Sequence, residues 1–523
     1  MGIYLIIPIA ILASTFYAAY SRLYLSPLSH IPGPKLAALT RLYEAYYDLW
    51  LGGQYTFKII ALHKQYGPII RISPWEIHVS DPDFYEVVYA SSASGNRRDK
   101  YGWFTKSFGL DSSVFGTPGH DIHRVRRAAL APYFSMASVR RLQPLIQDRV
   151  NKLVERLEGF KDNGEVLMAS WAYAAFTNDV VMTYCFGKCD SRLEAIDFDP
   201  SYRDASFFGS TAGNYLKHAP WVNNFMQAMP NSIAELLHPA MATFVAQKRT
   251  VLSYVQNIKA MHAASPKNNN DDGDYPTIFH SILDSKLPDY EKRDIRLCDD
   301  AHVLTMAGTL TTAWVLEVAT YHLLSSPSIL TKLKAELTAA IPSPKDIGSV
   351  PLPKLESLPY LNAVIKEGLR LSYGVSCRLA RSDPDNAIPF TSKENGKVYI
   401  IPAGTPVGMT SVQIHHDEAL FPDSWAFDPE RWLDGKNRAI DKYMVSFTAG
   451  SRQCMGINLA HVELYLCLSA VWRVWGSREV RGFDDVAWFE LFETGKRDVE
   501  IESDAFLPIV QKGSQGIRLK AYS

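Results

Sequence analysis

The stretch Phe447-Thr-Ala-Gly450-Ser-Arg452-Gln-Cys454-Met-Gly456 decides how the rest of the chain is read. It runs into an apolar helical pattern, Leu459 to Val474, so it is a loop that hands over to a helix. Gly450 permits a tight turn that a side chain would block. Gly456 lets the helix begin beside Cys454, so free N–H groups and the positive end of the helix dipole point at the sulfur and favour thiolate over thiol. Arg452 is placed to meet an anionic group, and Phe447 to pack over the sulfur side. A loop built this way presents one thiolate to a metal. The competing reading is a buried structural cysteine before a helix. It would win for Cys454 alone, but five fixed residue types within ten positions argue against it.

Upstream lies Glu367-Gly-Leu-Arg370, and three apart on a helix puts both charges on one face. Between this helix and the cysteine loop comes Pro429-Glu-Arg431-Trp432. Further back is Ala307-Gly308-Thr309-Leu310-Thr311-Thr312, inside a long helical pattern from Ile295 to Leu324. Small Ala307 and Gly308 leave room for a ligand against the helix, and threonines can bond the backbone one turn back and bend the helix. Other helical runs are Val139–Leu157, Pro239–Met261 and Tyr360–Leu371. Strand signals are short: Ile69–Ile72, Ile77–Val79, Val398–Ile401 and Gly516–Ala521. The expected class is mainly α with small β-sheets. Ser265–Asp274 reads as a polar loop, and Ile341–Lys354 as a loop between two helices.

The 523 residues carry 54 Lys+Arg against 55 Asp+Glu, which leaves no basic excess for a nucleic-acid partner. Six cysteines are too few for a disulfide scaffold, and no Asn-x-Ser/Thr acceptor occurs. Gly2 to Ser21 carries no charge and is long enough to span a bilayer core. Positive residues follow at Arg22, Lys35 and Arg41, which predicts a lumenal N-terminus and a cytosolic body. His30-Ile-Pro-Gly-Pro-Lys35 then forms a stiff connector. The expected organisation is an anchor at 1–21, a proline-rich hinge at 22–40 and a catalytic domain at 41–523.

With these residues in place the sequence resembles a cytochrome P450 monooxygenase of the microsomal type, in texture closest to fungal secondary-metabolism members. Further pieces of the likeness are Ile31–Ala38, Arg71–Ile77, His123-Arg-Val-Arg-Arg127 with Pro132–Ser135, and Arg370–Val375. The resemblance implies the P450 fold behind one N-terminal transmembrane helix, and haem b with Cys454 as axial iron ligand. Phe447, Gly450, Arg452 and Gly456 would shape the haem loop. His123 and Arg127 would meet the propionates, together with Arg378 or Arg381; Arg381 is preferred. Glu367, Arg370 and Arg431 would form a structural triad.

By the same likeness Thr311, with Thr312, would handle protons on the oxygen side. Here the chain departs from the family, because an acid normally precedes that threonine and this sequence has Leu310. The substrate pocket would draw on Lys100–Phe115, Thr305–Thr311, Tyr373–Ser376 and Ala505–Leu507. Its apolar and aromatic character points to a lipophilic substrate, first a terpenoid and second a polyketide-derived scaffold. Implied partners are NADPH–cytochrome P450 reductase, cytochrome b5 as a second donor, and membrane lipid at the endoplasmic reticulum. Rival functions are a haem-thiolate isomerase or dehydratase, which needs no external electrons, and a non-catalytic haem sensor.

Overall fold

The computed structural model describes residues 2–91, 95–264, 277–433 and 438–523. The polar stretch expected as a loop at 265–274 lies outside the described residues. The first helix, α1 (Gly2–Tyr20), carries exposed Ile9, Ile11, Leu12 and Phe16, and the apolar span extends through a π-helical turn to Leu25. It is long and apolar enough to cross a membrane, and none of that span is buried. The proline-rich segment after it is not a free spacer. Arg71 N donates to Pro32 O at 2.7 Å, and Arg71 Nη1 donates to Arg22 O at 2.9 Å, so the hinge is docked on the first strand.

The body is helical around α6 (Asp294–Ser325), with buried Ala301, Ala313, Leu316 and Leu323 along its length. Labelled in chain order, the other helices that place the site are α2 (His120–Leu130), α3 (Ala169–Phe186), α4 (Ser201–Leu216), α5 (Pro239–Ala264), α7 (Pro359–Ser372) and α8 (Ile457–Val474). Gly308 sits where α6 meets α3: a Cβ there would lie 2.8 Å from Val181 Cγ2. The sequence expectation that Gly308 leaves room for a ligand is therefore corrected. Its missing side chain lets two helices approach, while Ala307, one residue before it, is exposed.

Five short strands form one sheet in the order Ile69–Arg71, Ile77–Val79, Val407–Gly408, Arg381–Ser382, Asp99–Lys100. The first pair is antiparallel with Ile69 opposite Val79, and the last pair sets Lys100 directly opposite Arg381. A hairpin of Ser503–Ala505 and Leu507–Ile509 turns at Phe506, whose φ of 71° holds a bulky side chain in the left-handed region.

Candidate active site

The cysteine loop is held by its own backbone and by the chain beneath it. Cys454 N donates to Phe447 O at 2.9 Å, and Gln453 N donates to Gly450 O at 3.1 Å. Gly450 has a φ of 72°, and a Cβ there would collide with the carbonyl oxygens of Tyr89 and Ala90. Only glycine fits both demands. Ser451 N, one residue on, donates to Ala90 O at 3.1 Å and pins the loop to that segment. The Phe447 ring meets His461 edge-on at 5.2 Å.

Cys454 is exposed in the protein alone, yet its neighbours desolvate it. That burial raises the thiol above its ordinary value, while the N–H groups of Gly456 and Ile457 and the nearby Arg127 pull it back. The first turn of α8 thus supplies the hydrogen bonds that the sequence assigned to it.

Around this loop the structure gathers positive side chains. Arg452 spends its guanidinium on three carbonyls: Thr117 O at 2.7 Å, Arg98 O at 3.2 Å, and Pro118 O. Arg127 Nη1 donates to Gln453 O at 2.7 Å. Arg381 donates to Leu379 O at 2.9 Å and lies over the Tyr89 ring at 5.2 Å. Lys100 Nζ donates to Phe115 O at 2.6 Å and sits 3.4 Å from that ring's centroid. His123 is buried among them.

Among the described residues, none of Lys100, Arg127, Arg381 and Arg452 forms an ion pair with a protein carboxylate. Their mutual repulsion adds to burial: Lys100 is pushed well below its usual value, Arg452 down to about 9 and His123 down to about 2. Buried cations that satisfy only carbonyls lack a counter-anion, which is costly. A dianionic group set beside Cys454 supplies it. Haem propionates fit these residues, and the donor set of one thiolate backed by N–H groups fits haem iron.

Arg378 is separated from Arg381 by its partners. Its guanidinium bonds Glu76 Oε1 at 2.7 Å and Glu44 Oε1 at 2.8 Å, so its charge is already paired. Within the basic run of α2, Arg126 pairs with Glu291 at 2.8 Å and Arg124 is exposed, leaving Arg127 at the site. Lys100 was not singled out as a charge partner by sequence. Its only signal is a register, visible once Asp99–Lys100 pairs with Arg381–Ser382.

Behind the loop, Glu367 is fully buried. Its carboxylate accepts from Arg370 at 2.7 Å and 3.0 Å, from Arg431 Nε at 3.0 Å and from Trp432 Nε1 at 2.8 Å. Arg370 also donates to His415 O and Ser424 O, so α7 is tied to the chain that leads into the cysteine loop. His415 is committed through both ring nitrogens, Nδ1 to Arg370 O at 2.8 Å and Nε2 to Val445 N at 3.1 Å.

On α6, Thr311 Oγ1 donates to Ala307 O at 2.9 Å, and Ala307 is exposed in a helix that is otherwise largely buried. Thr312 goes elsewhere. It is buried and hydrogen-bonds Glu463 of α8, whose carboxyl burial raises far above the ordinary range. The expectation that paired Thr311 with Thr312 on the oxygen side is corrected for Thr312, because consecutive helical residues point about 100° apart.

The expected pocket segments divide in the same way. Phe104, Phe108, Phe115 and Phe506 form one aromatic cluster, with Phe108 and Phe506 centroids 4.8 Å apart. Thr305 instead bonds Tyr202 at 2.7 Å, and Tyr373 turns its hydroxyl to His416 at 2.6 Å.

Comparison with known proteins identifies what this geometry belongs to. The family model "Cytochrome P450" matches residues 39–474. Similar proteins include the cytochrome P450 monooxygenase tpcC of Cochliobolus heterostrophus, 49% identical over 98% of this chain and 96% of that protein. The cytochrome P450 monooxygenase astB of Talaromyces wortmannii is 42% identical over 95% of this chain and 94% of its own. The tryptophan 6-hydroxylase fscE of Fusarium equiseti is 38% identical over 98% of this chain and 96% of its own.

Proposed function

The chain belongs to the cytochrome P450 family, and from that premise we propose a membrane-anchored monooxygenase of fungal secondary metabolism acting on a lipophilic terpenoid. The family and its monooxygenase relatives make it an oxygen-incorporating, haem-dependent oxidoreductase fed by a redox partner. The finer terms are substrate, donor and compartment. The observation that carries the reading is Cys454, backed by the N–H groups of Gly456 and Ile457, beside buried Lys100, Arg381 and Arg452 and half-buried Arg127, none of them ion-paired with a carboxylate among the described residues.

Haem bound there supplies the oxidising chemistry: RH, O₂, NADPH and H⁺ become ROH, H₂O and NADP⁺. The protein's own residues hold and tune that chemistry. Cys454 would hold the haem iron through its thiolate. Arg127, Arg381, Arg452 and Lys100 would neutralise the propionates, and His123 packs among them. Glu367, Arg370 and Arg431 keep the chain before the loop rigid. Thr311, whose hydroxyl donates to Ala307 O, would hold a water for proton delivery in place of the acid that Leu310 replaces.

The aromatic cluster of Phe104, Phe108 and Phe506 supports a lipophilic substrate. NADPH–cytochrome P450 reductase is the proposed donor, with cytochrome b5 as a second; the proposed location is the endoplasmic reticulum with the body facing the cytosol, and the exposed apolar α1 supports a membrane anchor. A second substrate reading, an indole amino acid, is favoured by the relative named a tryptophan 6-hydroxylase.

The test is the reduced carbon-monoxide spectrum followed by turnover with reductase and NADPH on a terpenoid panel. The protein shows the thiolate-haem band, and Cys454→His loses it. Turnover that proceeds without NADPH would replace the monooxygenase with the isomerase reading.

A further inference from the structure

A narrow crevice lies between α4 and the hairpin at Phe506. Its walls are of two kinds. Phe104, Phe108 and Phe506 line one part, and Asp48, Asn214 and Lys217 line another. The aromatic part adjoins the haem site: Phe506 and Phe108 both contact Phe115, against which Lys100 Nζ rests. The polar part is therefore the far end.

The polar wall is anchored in a buried charge cluster. Lys217 Nζ lies 2.7 Å from Asp48 Oδ2 and 3.1 Å from Glu44 Oε1, and Arg378 bridges Glu44 to Glu76. His218 Nε2 approaches Asp48 Oδ2 at 3.4 Å. Asp504, also in the wall, is taken up by Thr56 and by Ser376 Oγ at 2.8 Å. Three valences remain. Asn214 gives its Nδ2 to Asp504 O at 2.8 Å, and its Oδ1 has no protein partner among the described residues. Asp48 Oδ1 has none either. Lys217 is ion-paired with two carboxylates and has three N–H groups to give.

Two acceptors and one donor beside an aromatic wall match a neutral hydroxyl, which both donates and accepts. A carboxylate would sit against Asp48, and an ammonium would compete with Lys217 for the same oxygens. A bare hydrocarbon would strip water from these atoms and return nothing, which is how a polar site rejects an analogue lacking the matching group.

We propose that Asp48, Asn214 and Lys217 form a specificity subsite for a hydroxyl already present on the lipophilic substrate. The chain then acts after a reaction that has installed an oxygen function on the hydrocarbon skeleton, such as an earlier oxygenation. This rests on the monooxygenase reading and names its substrate class.

The experiment titrates the haem-loaded enzyme with β-farnesene, farnesol, farnesoic acid and L-tryptophan, following the haem absorption shift. Farnesol binds at least about tenfold tighter than farnesene and than farnesoic acid. Asn214→Leu brings farnesol within about twofold of farnesene. Asp48→Asn, which keeps the shape of the side chain, lowers the same ratio and covers a failure of Asn214→Leu to load haem. A ratio unaltered by either variant overturns the subsite, because these polar groups are then merely hydrated. Tight tryptophan binding with no response to farnesol overturns it in favour of an amino-acid substrate. An intact thiolate-haem band in all variants separates either failure from failure of the monooxygenase reading, which would appear as loss of that band in the parent.

Discussion

Lys100 and Arg381 are direct cross-strand partners, two like charges facing each other in a buried antiparallel pair. Like charges placed so are destabilising, and burial adds desolvation. Their position makes sense if a dianion sits over both. On the proposed haem reading, the arrangement would trade stability of the haem-free chain for affinity of the loaded one.

That trade is measurable with Lys100→Met. The haem-free protein gains about 0.5–1 kcal/mol in urea unfolding, the size of a relieved cross-strand repulsion. The loaded protein loses a charged hydrogen bond, about 1.5–3 kcal/mol, so haem transfer to an acceptor protein speeds up by about 10–100-fold. Opposite signs in the two forms identify a ligand contact. Destabilisation of both forms would identify Lys100 as purely structural.

Glu367 binds three side chains where sequence spacing named two, because the Trp432 indole completes the carboxylate's shell. Glu367→Gln leaves two buried guanidinium groups short of an anion and costs about 3–5 kcal/mol. The yield of thiolate-haem protein falls accordingly. Trp432→Phe removes one donor and costs about 1.5–3 kcal/mol, with the spectrum of the surviving protein unchanged. Thermal unfolding of purified variants checks both, and a normal spectrum with a lower midpoint is the outcome expected for a support that never touches haem.

What was legible in the sequence was whatever is local. Phe447 to Gly456 and Glu367 to Arg370 are short, and loop or helix geometry converts their spacing into direction. The helices Asp294–Ser325 and Pro239–Ala264 lie within a few residues of their apolar patterns. The missing parts depend on long-range register. Lys100 reaches the site only through a two-residue strand, and Asp48, Asn214 and Lys217 converge from two segments about 170 residues apart that share no motif. Arg378 and Arg381 could not be told apart by counting, since the difference lies in Glu44 and Glu76 waiting on one side. Gly308 was misassigned because small residues serve helix packing and ligand space equally well, and only Val181 decides between them.

The neutral imidazole of His415 gives the fold an acid limit. Nδ1–H donates to Arg370 O and Nε2 accepts from Val445 N, so a second proton would set two N–H groups face to face beside the Arg370 charge. Burial first, and Arg370 next, lower its pKa from 6.5 to about 3. Below pH 6.5 the unfolded chain binds a proton that the folded chain refuses, so stability falls with pH from 6.5 toward 3. One such proton is worth about 1.4 kcal/mol per pH unit. His415→Asn is less stable at neutral pH, and its unfolding free energy declines less steeply between pH 6 and pH 4 by about one proton. Parallel slopes in parent and variant would assign the acid limit to other histidines such as buried His302 and half-buried His416.

Thr311 and Thr312 are neighbours with separable roles, and that separation tests the oxygen side of the site. Thr311 Oγ1 can hold a water while donating to Ala307 O, and positioned proton transfer is typically worth about 10²–10⁴-fold in rate. In Thr311→Ala, product per NADPH falls at least about tenfold while NADPH and oxygen consumption continue and peroxide accumulates. Thr311→Ser keeps the hydroxyl and stays near the parent value. Thr312→Val should do the reverse. It leaves the buried Glu463 carboxyl, whose Oε1 already lacks a partner among the described residues, without its remaining side-chain hydrogen bond. The cost is about 1–3 kcal/mol of stability with coupling unchanged. Leu310→Asp places an unpaired carboxylate at a buried position, so it lowers stability without improving the yield of product over peroxide. Equal coupling in Thr311→Ala and the parent would remove Thr311 from proton delivery. Uncoupling in Thr312→Val would instead route the proton through Glu463.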